Sequence, residues 1–167
     1  MAKIRRLAGD NIPEFLLTHP ISSSRVADAF NAADQIESKN SKKDSLDYQF
    51  IKGRLHMKYE EIPLNAIRKM EGLIRSDPSN QNRYALAIAY KMGNQNLKSL
   101  EIINNLANEY PKNLILQNTK AEILLDDGKA EKALKIVNDA LIISPKNFPL
   151  SVLKAKILLK KNFLLQR

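Results

Sequence analysis

Three proline-containing dipeptides recur at a nearly constant spacing along this chain. They are Asp77-Pro78, Tyr110-Pro111 and Ser144-Pro145, and their prolines lie 33 and 34 residues apart. Proline lacks an N–H and restricts the residue before it to extended backbone, so each dipeptide is expected to end a helix. A fixed period of this length indicates that one small helical unit is repeated and stacked along the chain.

Other positions follow the same period. Large apolar residues form three columns, which are Met57, Tyr90, Leu124 and Leu158; Met70, Ile103 and Val137; and Leu73, Leu106 and Ala140. Small or helix-packing residues form two more columns. The first contains Arg54, Ala87, Ala121 and Ala155. The second lies twelve residues later and contains Ala66, Ser99 and Ala133. Small residues let two helices approach closely, and large ones fill the space between neighbouring units. A period near 34 with two helices per unit is typical of tetratricopeptide repeats.

The pattern predicts the positions of the helices. We expect them near 46–59, 62–76, 80–92, 95–110, 114–126 and 129–143, with a last helix at about 148–165. Pro63 suits the first turn of its helix, and Gly93-Asn94 and Asp127-Gly128 suit tight turns. The fold class is therefore all-α, a tetratricopeptide-repeat helical solenoid of about three and a half repeats. These are 47–79, 80–113, 114–147 and a partial unit at 148–167, and residues 1–46 precede them with a loop and one or two helices.

Composition excludes several classes of protein. Of the 167 residues 44% are apolar and only five are glycine, which favours a helical core. There is no cysteine, which excludes disulfides, thiolate nucleophiles and cysteine metal ligands. No apolar window of 18 residues exists, so no transmembrane segment is expected. The N-terminal residues are basic but lack the apolar stretch of a secretory signal peptide.

The formal charge of +9 is concentrated at the C-terminal end. Residues 148–167 carry five basic residues and no acidic one. A basic patch can bind nucleic acid or anionic lipid. No RNA- or DNA-reading motif accompanies it, so we expect no specific nucleic acid and favour a solvated helix face beside a missing neighbour.

The last helix is apolar on most sides. Its apolar residues are Val152, Leu153, Ile157, Leu158, Leu159, Phe163, Leu164 and Leu165. A helix that caps a repeat array should present a polar outer face. We therefore expect either that the array is incomplete, which we favour, or that the chain self-associates through this helix.

The first 46 residues do not follow the repeat. We expect the end of a helix at Lys3–Leu7, an irregular stretch, a helix near 22–38 and a polar linker at 39–45. The irregular stretch contains Phe15-Leu16-Leu17-Thr18-His19-Pro20, and Arg25 opens the next helix. This closely resembles the C-terminal edge of the peptidase domain in HtpX-like zinc metallopeptidases. Residues 45–55 also look like the entry into the first repeat in the bacterial subgroup that has a tetratricopeptide tail, to which beta-barrel assembly-enhancing proteases belong.

The resemblance implies a periplasmic or envelope location and a parent that takes part in outer-membrane protein quality control. It also implies that zinc is the cofactor of the parent family and that His19 lies at the edge of the parent's active-site cleft. The alternative for His19 is a loop histidine whose ring bonds the backbone. The family's His-Glu-x-x-His helix is absent, and the two histidines, His19 and His56, lie 37 residues apart. Two histidines on one helix turn and a glutamate are needed for that site. For this chain alone we therefore expect no catalytic residues, no metal ligands and no cofactor.

The concave face of such an array is formed mainly by the first helix of each unit. In this frame the residues that point towards it are Lys58 and Tyr59 with Leu55, then Tyr84, Ile88 and Lys91, then Asn118 and Glu122 with Leu125. Mixed aromatic, amide and basic groups suit an extended peptide. The alternative is a solvated groove in which some of these residues contact the next helix.

These observations predict a protein–protein interaction module that binds a protein or peptide partner, such as the outer-membrane assembly machinery or its clients. One alternative is metallopeptidase activity in a full-length parent that carries the missing His-Glu-x-x-His motif. A second alternative is a basic surface that binds anionic lipid or nucleic acid.

Overall fold

The computed structural model describes residues 23–35 and 43–165, and every regular element in these two ranges is an α-helix. The helices are α1 (Ser23–Gln35), α2 (Leu46–Lys58), α3 (Pro63–Ser76), α4 (Asn80–Met92), α5 (Asn96–Glu109), α6 (Leu114–Asp126), α7 (Ala130–Ile143) and α8 (Phe148–Leu165). The prediction of an all-α protein is thus confirmed for these ranges, which contain no strand.

The chain divides into two compact units, Met1–Lys43 and Asp44–Arg167. In the first unit the described helix is α1, which corresponds to the helix expected near 22–38. The helix expected at Lys3–Leu7, the loop with His19 and most of the polar linker lie outside the described residues. The second unit contains α2 to α8, whose bounds agree with the expected ones to within one residue at each end.

The proline dipeptides end three helices in the same way. The residues that follow α3, α5 and α7 are Asp77, Tyr110 and Ser144, with φ of −136°, −132° and −136° and ψ of 88°, 65° and 80°. These angles lie outside the α region, which a following proline disfavours for the residue before it. The end of each helix is therefore determined locally, by one dipeptide.

The turns between α4 and α5 and between α6 and α7 also share one geometry. Asn94 and Gly128, 34 residues apart, have positive φ of 56° and 74°. The N–H of the next residue bonds back into the preceding helix, from Gln95 to the Tyr90 carbonyl at 2.9 Å and from Lys129 to the Leu124 carbonyl at 2.8 Å. A left-handed residue that closes a helix end is usually glycine or asparagine, as here.

Packing joins these helices side by side around α4 and α6. Helix α4 packs against α2, α3 and α5, helix α6 packs against α5 and α7, and α8 packs against α7 and α6. All residues from Tyr84 to Tyr90 are buried, since α4 has neighbours on three sides. Helix α6 contributes Leu116 and Ile123 to one apolar cluster and Leu124 and Leu125 to the other. This explains why both helices are apolar around most of their circumference.

Helix α2 approaches α4 closely at Gly53. A Cβ at this position would lie 2.6 Å from the Gln81 carbonyl oxygen, closer than real Cβ atoms come. The repeat frame had placed Arg54 at the helix-packing position of the first unit, so the small residue lies one position earlier than expected. The Arg54 side chain, next to this contact, reaches both α4 and α6.

Tyr90 makes stability depend on pH in the alkaline range. It is buried, and its hydroxyl donates a hydrogen bond to Glu71 Oε1 at 2.7 Å. Burial and this bond raise the pKa of Tyr90 to about 12. Because the folded-state pKa is raised, this stabilisation is complete below the ordinary tyrosine pKa of about 10 and is lost as pH rises through the folded pKa.

We expect the wild-type chain to lose roughly 1–3 kcal/mol more stability than Tyr90→Phe between about pH 9 and pH 12. Urea unfolding of both chains across this range measures the difference. The Phe variant keeps the ring that lies under the Lys98 ammonium, so it removes only the titrating hydroxyl. If the free energies of unfolding of the two chains changed in parallel with pH, the raised pKa of Tyr90 would be contradicted.

Candidate functional site

The second unit contains a groove on the side formed by α2, α4, α6 and α8. It consists of two adjoining depressions of about 440 and 500 Å³, and both are bordered by Arg54, Lys91 and Glu122. Alternate helices along the chain, each the first of its pair, therefore share one continuous surface. We refer to this surface as the groove.

Five of the seven partner-binding residues expected from the sequence line the groove. They are Lys58, Ile88, Lys91, Asn118 and Glu122. These residues come from three different helices and are up to 64 positions apart in the chain. The fold therefore brings together side chains that the repeat pattern had grouped.

Two of the expected residues are placed differently. Tyr84 is 0% exposed, so its ring belongs to the core and a molecule in the groove cannot contact it. It lies instead against Phe50, with 5.1 Å between the ring centroids. Tyr59 is 76% exposed at the end of α2 and does not line either depression. The periodicity identified the correct side of α4, but α4 is so deeply packed that a residue on this side can still be buried.

A hydrogen-bonded network built on Arg54 forms the floor of the groove. Its guanidinium donates from Nε to the Tyr84 hydroxyl at 3.2 Å and from Nη2 to Thr119 Oγ1 at 3.1 Å. It also donates to both carboxylate oxygens of Glu122, from Nη2 to Oε2 at 2.8 Å and from Nη1 to Oε1 at 3.3 Å. One side chain of α2 thus holds α4 and α6.

The direction of the remaining bonds follows from proton counting. Thr119 Oγ1 donates to the Ile115 carbonyl at 2.8 Å, which uses its one proton. The Tyr84 hydroxyl lies 2.7 Å from Thr119 Oγ1 and must therefore be the donor in that pair. Tyr84 in turn accepts from Arg54, so the chain of donors runs from Arg54 through Tyr84 and Thr119 to the backbone of α6. Every polar atom in this chain has a partner.

The charges of the groove are only partly neutralised. Glu122 is paired with Arg54, and Asp126 is paired with Lys91 at 3.0 Å. Burial opposes the charge of Arg54, but the interactions with Tyr84 and Glu122 outweigh it and raise the pKa of Arg54 above its ordinary value. Lys58 and Lys156 also line the groove, and neither forms an ion pair within the described ranges. The groove therefore carries a net positive charge near both ends.

Exposed apolar side chains flank the polar centre. At one end Ile51 and Leu55 of α2 lie beside Ile88 and Met92; we call these four residues the α2 pad. At the other end Phe148, Pro149 and Val152 of α8 lie beside Leu125; we call these four the α8 pad. Apolar surface around a few fixed polar groups is the usual composition of a ligand-binding cleft.

Sequence reasoning missed Arg54 and the contribution of α8. An arginine in a column that is otherwise occupied by alanine was a detectable signal, because a long charged side chain there must leave the packed interface. No comparable signal marked Phe148 or Lys156, because the sequence indicated only that the last helix packs against a missing neighbour or a second copy, and its packing shows that one side of it closes the groove.

Some titratable groups outside the groove form ordinary ion pairs. Glu60 bonds Lys69, and this hydrogen bond lowers the pKa of Glu60. Asp127 is paired with Lys129 at 2.6 Å, which lowers the pKa of Asp127 in the same way. His56 is exposed on α2, and His19 lies outside the described residues. Within the described ranges there is no cluster of three or more His, Asp or Glu that fits a metal ion.

None of the helices in the described ranges combines the length and the apolar character that a bilayer crossing requires. A scan against protein-family models gives no match, and a search of curated proteins finds no similar sequence.

Proposed function

We propose that residues 47–167 are a tetratricopeptide-type scaffold that binds an extended peptide segment of a partner protein in the groove. The observation that carries this proposal is the groove itself, in which two apolar pads flank a polar centre and an unpaired lysine lies near each end.

The repeat supports the scaffold part of the proposal. Helix ends, turns and buried columns recur at spacings of 33 and 34 residues, as shown by the three proline caps and the two left-handed turns. Met70, Ile103 and Val137 of one column are all fully buried. Recurrence of one unit in sequence, local geometry and burial is what a helical repeat array is expected to have.

The chemistry of the groove supports a peptide as the occupant. An extended chain carries alternating side chains and unpaired backbone amides. The pads can take two apolar side chains, while Asn118 and Glu122 at the centre offer amide and carboxylate groups to the backbone between them. Lys58 and Lys156 favour an occupant with acidic residues. Because the Arg54 network holds α2, α4 and α6 together before binding, little ordering has to occur when a peptide binds.

The resemblance of residues 12–28 and 45–55 to HtpX-like zinc metallopeptidases supports a narrower proposal. In it the chain is the tail of a periplasmic or envelope peptidase and binds the outer-membrane assembly machinery or its clients. Zinc would belong to a His-Glu-x-x-His helix of the parent, since the residues of this chain do not fit it. An upstream reading frame that continues through such a helix is the expected result of sequencing the neighbouring DNA, and an unrelated gene there would leave only the scaffold proposal.

The groove can be tested by selecting peptides on the intact chain from a random library. We expect enrichment of segments with two apolar residues separated by a short polar stretch and flanked by acidic residues. Leu55→Glu in the α2 pad and Phe148→Glu in the α8 pad should each weaken binding of an enriched peptide by at least about tenfold, because each places a charge on a desolvated contact.

Leu97→Glu is the matched control. Leu97 is 77% exposed on α5 and does not line the groove, so this change adds the same charge at an unrelated surface. Titration by fluorescence anisotropy measures all three affinities. Equal losses in the three variants, or no enrichment at all, would refute groove binding.

A further inference from the structure

Helix α8 repeats a face of α4 and α6 that is covered in those helices. Ala87 of α4 and Ala121 of α6 occupy one column and are both 0% exposed, whereas Ala155, the next member of the column, is exposed. Tyr90 and Leu124 of the neighbouring column are buried, whereas Leu158 is 40% exposed. In α4 this face carries α5, whose Ser99 hydroxyl donates to the Ala87 carbonyl at 2.7 Å. Helix α8 therefore presents a helix-binding face on which the described residues place no helix.

The position of this face on α8 follows from helix geometry. Leu150, Leu153 and Ile157 are spaced for one side of a helix and are buried. At about 100° per residue, Ser151, Ala155, Leu158 and Leu159 lie on the opposite side, and all four are exposed. We call these four residues the open face. It adjoins the α8 pad, because Phe148 and Val152 lie seven and three residues before Ala155 and so border the same side of the helix.

The charges beside the open face indicate what binds to it. Helix α8 has no acidic residue from Phe148 to Leu165. Of its four lysines, Lys161 pairs with Glu131 at 2.5 Å and Lys160 donates to the Leu125 carbonyl at 2.9 Å. Lys154 and Lys156, on either side of the open face, form no ion pair within the described ranges.

A second copy of α8 is a poor occupant for this reason. Two such helices placed face to face would bring lysines together without a compensating carboxylate, and like charges at an interface oppose association. A small residue at the centre of the face favours a packed helix instead, since the equivalent Ala87 and Ala121 serve that purpose in the same fold.

We propose that the open face of α8 binds an amphipathic helix of a partner protein, whose acidic flanks lie beside Lys154 and Lys156. The docked helix lies on α8 as α5 lies on α4, with a small residue against Ala155. This surface borders the groove at the α8 pad and extends beyond it, so a partner can engage the scaffold at both.

The probe is a synthetic helix with the sequence of α5, which occupies the equivalent place on α4. A peptide of residues 96–109 with Lys98→Glu keeps the apolar side and leaves only acidic charges, and a side-chain cross-link holds it helical, because so short a helix is marginal alone. The control peptide also carries Glu101→Lys and Glu109→Lys. We expect the intact chain to bind the acidic peptide at least about tenfold more tightly than the control, and raised salt to reduce the difference.

Four chain variants locate the binding. Ala155→Gln fills the centre of an exposed face and should lower affinity for the acidic peptide at least about tenfold without affecting stability. Ala29→Gln on α1 makes the same change at another exposed alanine and should have no effect. The double variant Lys154→Glu and Lys156→Glu should reverse the preference between the two peptides, and Leu55→Glu in the groove should leave it unchanged.

Isothermal titration calorimetry and sedimentation velocity decide the outcome. The proposal is supported if the affinities of the four variants change, or stay unchanged, as stated. It is overturned if the peptide does not bind, if Ala155→Gln binds as tightly as wild type, or if the chain forms dimers that Ala155→Gln disrupts. Binding to anionic vesicles that Ala155→Gln abolishes would also overturn it, in favour of a membrane surface.

Discussion

Replacement of Tyr84 by alanine is expected to lower the free energy of unfolding by roughly 3–5 kcal/mol. Tyr84 is among the largest fully buried side chains of the second unit and packs against Phe50. Truncation leaves a cavity between α2 and α4, and it also removes the hydroxyl that links Arg54 to Thr119. Urea denaturation followed by circular dichroism measures the loss.

Two further variants divide this effect into its parts. Tyr84→Phe keeps the ring and should cost about 1–2 kcal/mol, because it removes one of the two donors to Thr119 Oγ1 and leaves the Arg54 Nε–H without its acceptor. Tyr59→Ala removes a tyrosine that is 76% exposed and should change stability by less than about 0.5 kcal/mol. A Tyr84→Phe chain as stable as wild type would show that the network does not hold the three helices together.

Substitution of Gly53 by alanine is expected to destabilise the chain by roughly 1–3 kcal/mol, although alanine is the better helix former by about 1 kcal/mol. The new Cβ would lie 2.6 Å from the Gln81 carbonyl oxygen, which belongs to the backbone of α4. A backbone atom inside a packed helix cannot move aside as the end of a flexible side chain can. The two helices would have to separate, and this would also disturb the neighbouring Arg54.

Gly72 provides the matched comparison. It lies inside α3, and a Cβ there would have no neighbour within 4 Å. Gly72→Ala should therefore stabilise the chain by about 0.4–1 kcal/mol, through the unfolded state and helix propensity alone. Thermal unfolding of both variants measures the sign of each effect. If Gly53→Ala were also stabilising, the close approach of α2 to α4 would be refuted.

Arg54 connects these results with the groove. Its guanidinium contacts α4 and α6 at once, and it borders both depressions. A variant that loosens α2 against α4 is therefore expected to weaken peptide binding as well as stability. Measuring both quantities on Gly53→Ala and Gly72→Ala would separate a general loss of stability from a change in groove shape.

The amino-acid sequence by itself determined the helix boundaries. A proline dipeptide ends α3, α5 and α7, and Asn94 and Gly128 supply the positive φ that the two tight turns need. These causes act within a few residues, so they can be recognised without knowledge of the packing. The apolar residues of each helix were equally recognisable, because a helix places residues three and four apart on one side.

Only the tertiary structure decided which of these residues meet a solvent-filled groove. Tyr84 and Ile88 lie on the same side of α4, yet Tyr84 is buried under Phe50 and Arg54 while Ile88 borders the groove. The structure also decided that Arg54 joins α2 to α6 and that α8 closes one end of the groove while the side opposite its buried residues stays open. The physical reason is that periodicity gives the direction of a side chain around its own helix, whereas exposure depends on how closely the neighbouring helices approach.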